Sequence, residues 1–265
     1  MKKLLVLVAL VFVLVGCGVK GSDEKTIKIG ASALPHADFL KQLETPLKEA
    51  GYNLEIVIFD DYTIPNVQLD DGTLDANYFQ HIPYLKNFNE TQGTDLVDVL
   101  KVHYEPIAIY SGKKATLADV EAGDTVFVPD DATNLPRALN LLEELGWITL
   151  NDNKDTATLK DIVEYKVAIE IKEVQSEGIV PLLNDGAYAI INGNYALAGN
   201  ITDKGLQKES VSDEKIADIA NVIAVKRGNE TTDKTKAILA AFENATVKEY
   251  IATKFAPAVT SVLGE

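Results

Sequence analysis

Val128-Pro129-Asp130-Asp131-Ala132-Thr133-Asn134-Leu135-Pro136-Arg137 carries a strand end, a polar loop and a helix start in one short stretch. The apolar run into Pro129 reads as a buried strand, and the two aspartates open a turn. Asn134 is then expected as the helix N-cap, with Pro136 in the first turn. The same change of period recurs on both sides. Residues 26–30 read as a strand, 38–50 as a helix broken near Pro46, and 54–59 as a strand. Beyond the opening stretch come a helix over 135–145, extended or helical runs at 166–174, 178–183, 188–191 and 221–225, and helical spacing over 234–255. Strands interleaved with helices predict an α/β fold with largely parallel sheets.

Two extended apolar stretches, Glu105-Pro106-Ile107-Ala108-Ile109-Tyr110 and Ala220-Asn221-Val222-Ile223-Ala224-Val225, bracket a middle section of about 110 residues, a normal domain size. They suggest two α/β lobes joined by two crossing strands, with a cleft between. Lobe 1 is expected over 26–107 plus 226–265, and lobe 2 over 108–225. Two buried strands of one sheet would read the same way.

The N-terminus has its own logic. Met1-Lys2-Lys3 is a basic start, residues 4–15 are unbroken apolar, and Leu14-Val15-Gly16-Cys17 follows. That order reads as a signal peptide over 1–16, too short to span a bilayer, which takes about 18 apolar residues or more. Leu-Val-Gly-Cys also resembles the bacterial lipobox, in which the cysteine is acylated. A plain signal peptide with an incidental cysteine is the alternative, but Cys17 is the only cysteine in the chain. The expectation is a protein held at the cell membrane, on its extracytoplasmic face, by lipid on Cys17, with residues 17–25 as a flexible tether. The formal charge is −15, and loss of Lys2 and Lys3 makes it more negative. Such a surface repels nucleic acid, and no polybasic run offsets it.

Enzyme signatures are scarce. The sequence has no G-x-S-x-G, H-E-x-x-H, P-loop or G-x-G-x-x-G pattern. His36, His81 and His103 lack metal-ligand spacing, so no metal and no cofactor is expected. Asp60-Asp61 and Asp70-Asp71 read as solvated turns of an acidic protein. Three segments remain. Arg137, in the first turn of a helix, opposes the macrodipole and lies beside free N–H groups, which suits an anionic ligand group; a salt bridge to one of 40 acidic residues fits equally. Asp75-Ala76-Asn77-Tyr78-Phe79-Gln80-His81-Ile82-Pro83-Tyr84 packs rings at a strand end, as a ligand wall or as plain core. Ile190-Ile191-Asn192-Gly193-Asn194-Tyr195-Ala196 is a buried strand entering an amide-rich turn, which ordinary turn chemistry also explains.

Taken together and in order, these segments resemble the methionine-binding lipoprotein family, the substrate-binding components of methionine-uptake ABC transporters. The resemblance rests on Leu-Val-Gly-Cys (14–17), Asp-Tyr-Thr-Ile-Pro-Asn (61–66), Asp-Ala-Asn-Tyr-Phe-Gln-His-Ile-Pro-Tyr-Leu (75–85) and Glu-Pro-Ile-Ala-Ile-Tyr-Ser (105–111). Val-Pro-Asp-Asp-Ala-Thr-Asn-Leu-Pro-Arg-Ala-Leu (128–139), Ile-Asn-Gly-Asn-Tyr-Ala (191–196) and Ala-Asn-Val-Ile-Ala-Val-Lys (220–226) complete it. It implies a two-lobed periplasmic-binding-protein-like fold that closes on one small ligand, L- or D-methionine. It also implies a monomer that delivers its ligand to an ABC permease with separate ATPase subunits. By the same resemblance Arg137 clamps the ligand carboxylate with Asn134 beside it. Asn221, with Asn192 or Asn194, holds the α-amino and carboxylate groups, and Tyr62, Phe79, His81 and Tyr84 wall the side-chain pocket. Another amino acid, a methionine dipeptide or a sulfonate would suit the same fold. A surface hydrolase using His81 or His103 and a structural lipoprotein are the rivals of another class.

Overall fold

The computed structural model describes residues 24–264; the apolar N-terminal run and Cys17 lie outside the described residues. Thirteen strands build two larger sheets and one small hairpin among the described residues. The first sheet joins β1 (Thr26–Ala31), β2 (Asn53–Ile58), β3 (Ala76–His81), β4 (Leu96–Tyr104), β12 (Asn221–Lys226) and β13 (Thr260–Ser261), in the order β13-β4-β12-β3-β1-β2. The second joins β5 (Ile107–Ser111), β6 (Thr125–Pro129), β9 (Glu170–Val174), β10 (Tyr188–Asn192) and β11 (Gly205–Lys208), in the order β11-β5-β10-β6-β9. β7 (Ile148–Leu150) and β8 (Ile162–Tyr165) form the hairpin. Each larger sheet is the base of one lobe of an α/β fold.

The sheets are mixed rather than largely parallel. β1 runs parallel to β2 and β3, and β6 runs parallel to β9 and β10. β12 is antiparallel to both β3 and β4, and β5 is antiparallel to β10 and β11. The antiparallel strands are those next to the crossings, where the chain enters a lobe from the other lobe and not over a helix of its own.

In each larger sheet the inner strands β12 and β10 are covered on both faces, which explains their unbroken apolar runs. Along β12, Ile223 and Val225 enter one core with Ile27, Ile29 and Tyr78, while Val222 and Ala224 enter another with Leu69, Leu85 and Phe88. Along β10, Tyr188 and Ile190 face one core and Ala189 and Ile191 the other. Alternation of period two is present in geometry but invisible in polarity, because neither face meets water.

The first crossing is immediate, from β4 through Glu105-Pro106 into β5. The second lies ahead of β12, over residues 209–220 with a short helix at Asp213–Ile216. Residues 221–225 therefore pair inside the first sheet, and not at the end of lobe 2 where the sequence reading put them. Two helix readings also shift. The 38–50 run is two helices, Asp38–Lys41 and Glu44–Glu49, and the break falls before Pro46, which sits inside the second helix. The 234–255 run divides into Asp233–Phe242 and Ala245–Thr253, the Asn244 side chain accepting the Thr246 N–H to start the second.

Candidate functional site

Two strand-to-helix switches, one from each lobe, meet at the cleft. In lobe 1, β3 ends at His81, whose Nδ1 accepts the Tyr84 N–H at 3.0 Å and so caps the helix Ile82–Gln92. In lobe 2, β6 runs into the helix Asn134–Glu144. Asn134 is not its N-cap. Thr133 precedes the helix, and Asp131 does the capping: its Oδ1 accepts the N–H groups of Thr133 and Asn134 at 3.0 and 2.9 Å. That releases the Asn134 side chain for the cleft. A third switch, from β10 into the helix Gly193–Ala198, supplies Asn192 and Asn194.

These switches line a pocket whose empty space, open solvent included, is about 340 Å3. Tyr62, Phe79, His81, Tyr84, Asn134, Arg137, Asn192, Asn194 and Asn221 all line it, so the structure brings together the residues expected from the sequence to bind the ligand. Gln80, Glu105 and Gly193 line it as well. The lobe 1 wall is aromatic: the Tyr62 ring lies 5.9 Å from Phe79 and 5.7 Å from Tyr84, in tilted and edge-on contacts. Behind it Asn66, Asn77 and Gln80, all buried, satisfy one another. Asn66 Nδ2 donates to Gln80 Oε1 at 2.8 Å, and Gln80 Nε2 and Asn77 Nδ2 donate to Asn66 Oδ1 at 2.7 and 2.8 Å.

The lobes touch across the cleft. His81 uses Nδ1 as an acceptor, so Nε2 carries the proton and donates to Asn134 Oδ1 at 3.1 Å. Tyr62 OH donates to Asn194 Oδ1 at 2.6 Å, and Tyr195 OH to the Asp60 carbonyl at 2.7 Å. Asn134 is the junction, because its Oδ1 also accepts from Arg137 Nη1 at 3.0 Å and from Asn192 Nδ2 at 2.9 Å.

Arg137 differs from the simple reading of a free clamp. Its guanidinium is paired with Glu209 through Nε and Nη2, and Nη2 also donates to the Glu105 carbonyl at 3.0 Å. With the bond to Asn134, four of its five N–H groups are used among the described residues, leaving one on Nη1 for a ligand. Glu209 was missed by sequence reasoning because it lies 72 residues away in an acidic chain. Burial alone would raise its carboxyl, yet the Arg137 charge and hydrogen bonds from Arg137, the Ile107 N–H and Tyr104 hold it below the ordinary value.

Glu105 is the second buried carboxylate. Its Oε1 accepts from His103 Nε2 at 2.5 Å and lies 3.3 Å from His36 Nε2, which also reaches Asn221 Oδ1 at 3.1 Å. Tyr78 OH donates to His103 Nδ1, fixing that tautomer. Burial lowers His36 to about 4, with the Glu105 charge opposing, and lowers His103 to about 3. Both imidazoles are neutral near pH 7. Burial lowers His81 to about 4 too, reinforced by Arg137. Burial raises the Glu105 carboxyl, while His36, Arg137 and the Asn194 N–H pull the other way. His36, His103 and Glu105 are the metal-capable donors grouped among the described residues. Tetrahedral zinc would hold its N and O ligands roughly 3.3 Å apart, so the 2.5 Å contact is that of a hydrogen-bonded chain.

A family model described as NlpA lipoprotein matches residues 27–263. The chain belongs to the NlpA lipoprotein family. Among curated relatives it is 36% identical over 260 residues to the methionine-binding lipoprotein MetQ of Bacillus subtilis, covering 94% of each. Among solved structures, a putative lipoprotein of Ruminococcus gnavus is 44% identical with a TM-score of 0.85, over 89% of this chain and 99% of that one. A nutrient-binding protein of Burkholderia cenocepacia, solved bound to methionine, is 34% identical with a TM-score of 0.82, over 89% and 99%. These neighbours share the two-lobed fold, and the relatives are named as lipoproteins, several of them methionine-binding, rather than as enzymes. No helix among the described residues of this NlpA-family chain is long and apolar enough to cross a membrane.

Proposed function

We propose that the protein captures methionine between its lobes outside the cytoplasm, held to the membrane by lipid on Cys17, and delivers it to an ABC permease and its ATPase subunits. The observation that carries this reading is the pocket's division of labour. One wall is aromatic (Tyr62, Phe79, Tyr84) and the other is amide-rich with one cation (Asn192, Asn194, Arg137). A thioether is soft and polarizable, and sulfur–ring contacts contribute about 0.3–1.5 kcal/mol each. The free Arg137 Nη1 hydrogen and the Asn221 amide nitrogen, whose Oδ1 already accepts from His36, suit the ligand carboxylate. Closure is a rotation of the lobes about the two crossings, a reading that the cross-lobe bonds of Tyr62, His81 and Tyr195 support. Relatives named as methionine-binding lipoproteins support the same ligand.

The test is thermal unfolding of the Ser22–Glu265 fragment, stripped of ligand by unfolding and refolding, against all amino acids and methionine dipeptides. A ligand that binds only the folded state stabilises it by RT ln(1 + [L]/Kd), about 4 kcal/mol at a thousandfold excess over Kd. L- or D-methionine should raise the midpoint by several degrees. A rise with another solute and none with methionine would keep the fold and overturn the ligand.

A further inference from the structure

The aromatic wall does not end at the ligand pocket. Tyr62 and Tyr84 also line a second hollow at the cleft mouth, with about 390 Å3 of empty space, open solvent included. Both lobes build it. Asp61 comes from lobe 1, and Asp130, Asp131, Ser176 and Glu177 come from lobe 2. None of the described residues that line it is basic, and none of the four carboxylates takes part in an ion pair among the described residues. Asp61 and Asp131 accept backbone N–H groups, which orient them without supplying a counter-ion. Burial and the neighbouring Asp131 charge raise the Asp130 carboxyl.

A second observation marks the same hollow. Ser176 is 4% exposed, and its Oγ is buried with no hydrogen-bond partner among the described residues. The rings are also placed to receive a cation. The Tyr62 centroid lies 5.9 Å from that of Phe79 and 5.7 Å from that of Tyr84, and Phe79 and Tyr84 are 6.1 Å apart. Tyr84 stands at 70° and 76° to the other two, as a wall and not as a stack. One group can therefore sit within about 6 Å of all three centroids, the reach of a cation–ring contact. The field of the mouth extends to these rings: burial raises the Tyr84 phenol, and Asp131, Asp61 and Glu177 raise it further. A neutral thioether uses the rings but gives the carboxylates nothing to meet.

We infer that the aromatic wall and the acidic mouth together form a sulfonium site, so that the protein takes S-alkylated, positively charged relatives of methionine as well as methionine. The inference rests on the methionine reading and extends it to a second ligand class. A sulfonium leaves the amino-acid end unchanged and puts one permanent positive charge at the sulfur, where ring faces attract it. The mouth provides space for the added alkyl group and a set of oxygens for its polarised C–H bonds.

The experiment is calorimetric titration of ligand-stripped protein with methionine, S-methylmethionine and 2-amino-5-methylhexanoate. The last is the carbon isostere of S-methylmethionine, alike in shape but neutral in its side chain. Wild type should prefer the sulfonium to the isostere by about tenfold or more. The double variant Asp130→Asn, Glu177→Gln removes two charges from the mouth and leaves the rings in place. It should narrow that preference by about threefold or more. A folded double variant with the wild-type preference would overturn the site; if that variant does not fold, the wild-type ratio decides. Wild type that binds methionine but does not favour the sulfonium over the isostere also overturns it, and leaves the methionine reading intact. Binding of the sulfonium without methionine would keep the site and overturn the methionine reading. Binding of none of the three overturns both.

Discussion

Glu105 and Glu209 are the same residue type, both buried, and both next to Arg137, yet their surroundings drive them in opposite directions. Glu209 faces the guanidinium side-on and is held below its ordinary pKa. Glu105 sees Arg137 through its own backbone carbonyl, its carboxylate is met by neutral donors, and burial raises it. The first is a finished ion pair that fixes where the cation points. The second is a carboxylate held in place by imidazoles and a backbone amide. Burial alone therefore says little about a carboxylate's role; what completes its charge says more.

The sharpest way to break this contrast is Arg137→Ala, which leaves Glu209 in the position of Glu105, buried with no cation. Removing one partner of a buried pair costs about 3–5 kcal/mol. Denaturant unfolding should show a loss of that size, with most methionine affinity gone. A second change, Glu209→Gln, should restore part of the stability. A loss under about 1 kcal/mol for Arg137→Ala would mean the pair is not structural.

An intermediate effect comes from pH. His36, His81 and His103 titrate near 4, 4 and 3 when folded and near 6.5 when unfolded. The unfolded chain binds more protons between those values, so their contribution is complete above about pH 6.5 and declines as pH falls. Depressed Glu209 also loses its contribution on acidification. Raised Glu105 runs the other way, contributing at low pH and losing that contribution as pH rises past its folded value. The melting temperature should be lower at pH 5 than at pH 7, and no fall would mean the imidazoles are not held neutral.

The smallest effect should be Tyr62→Phe, which deletes the cross-lobe bond to Asn194 but keeps the ring. A single neutral hydrogen bond contributes about 0.5–1.5 kcal/mol, so methionine should bind roughly two- to tenfold more weakly with stability nearly unchanged. An unaltered affinity would separate that bond from closure.

Much of this was legible because strand-to-helix switches have local signatures. The 128–137 stretch announces its turn and helix, and the ring-rich 75–84 stretch announces an unusual strand end. What the chain hides is long-range pairing. Nothing near Arg137 points to Glu209, and nothing in Glu105-Pro106 says that His36 and His103 will meet there. Asn134 looked like a cap because Asn usually is one; Asp131, three residues earlier, took that place. The extent of parallel pairing was also unreadable, since a strand buried on both faces shows the same apolar run in either direction.

The placement of β12 between β3 and β4 bears on how the chain is made. β4 is followed by the whole of lobe 2 before β12 emerges to separate it from β3. Every strand of the second sheet lies in one uninterrupted stretch, so that sheet can be completed as soon as its residues are available. The first sheet must wait with β3 and β4 unbridged until residues 221–226 arrive, and with β4 lacking its outer neighbour until Thr260–Ser261. A polypeptide released end-first therefore carries an open pair of strand edges, those of β3 and β4, while residues 105–220 emerge.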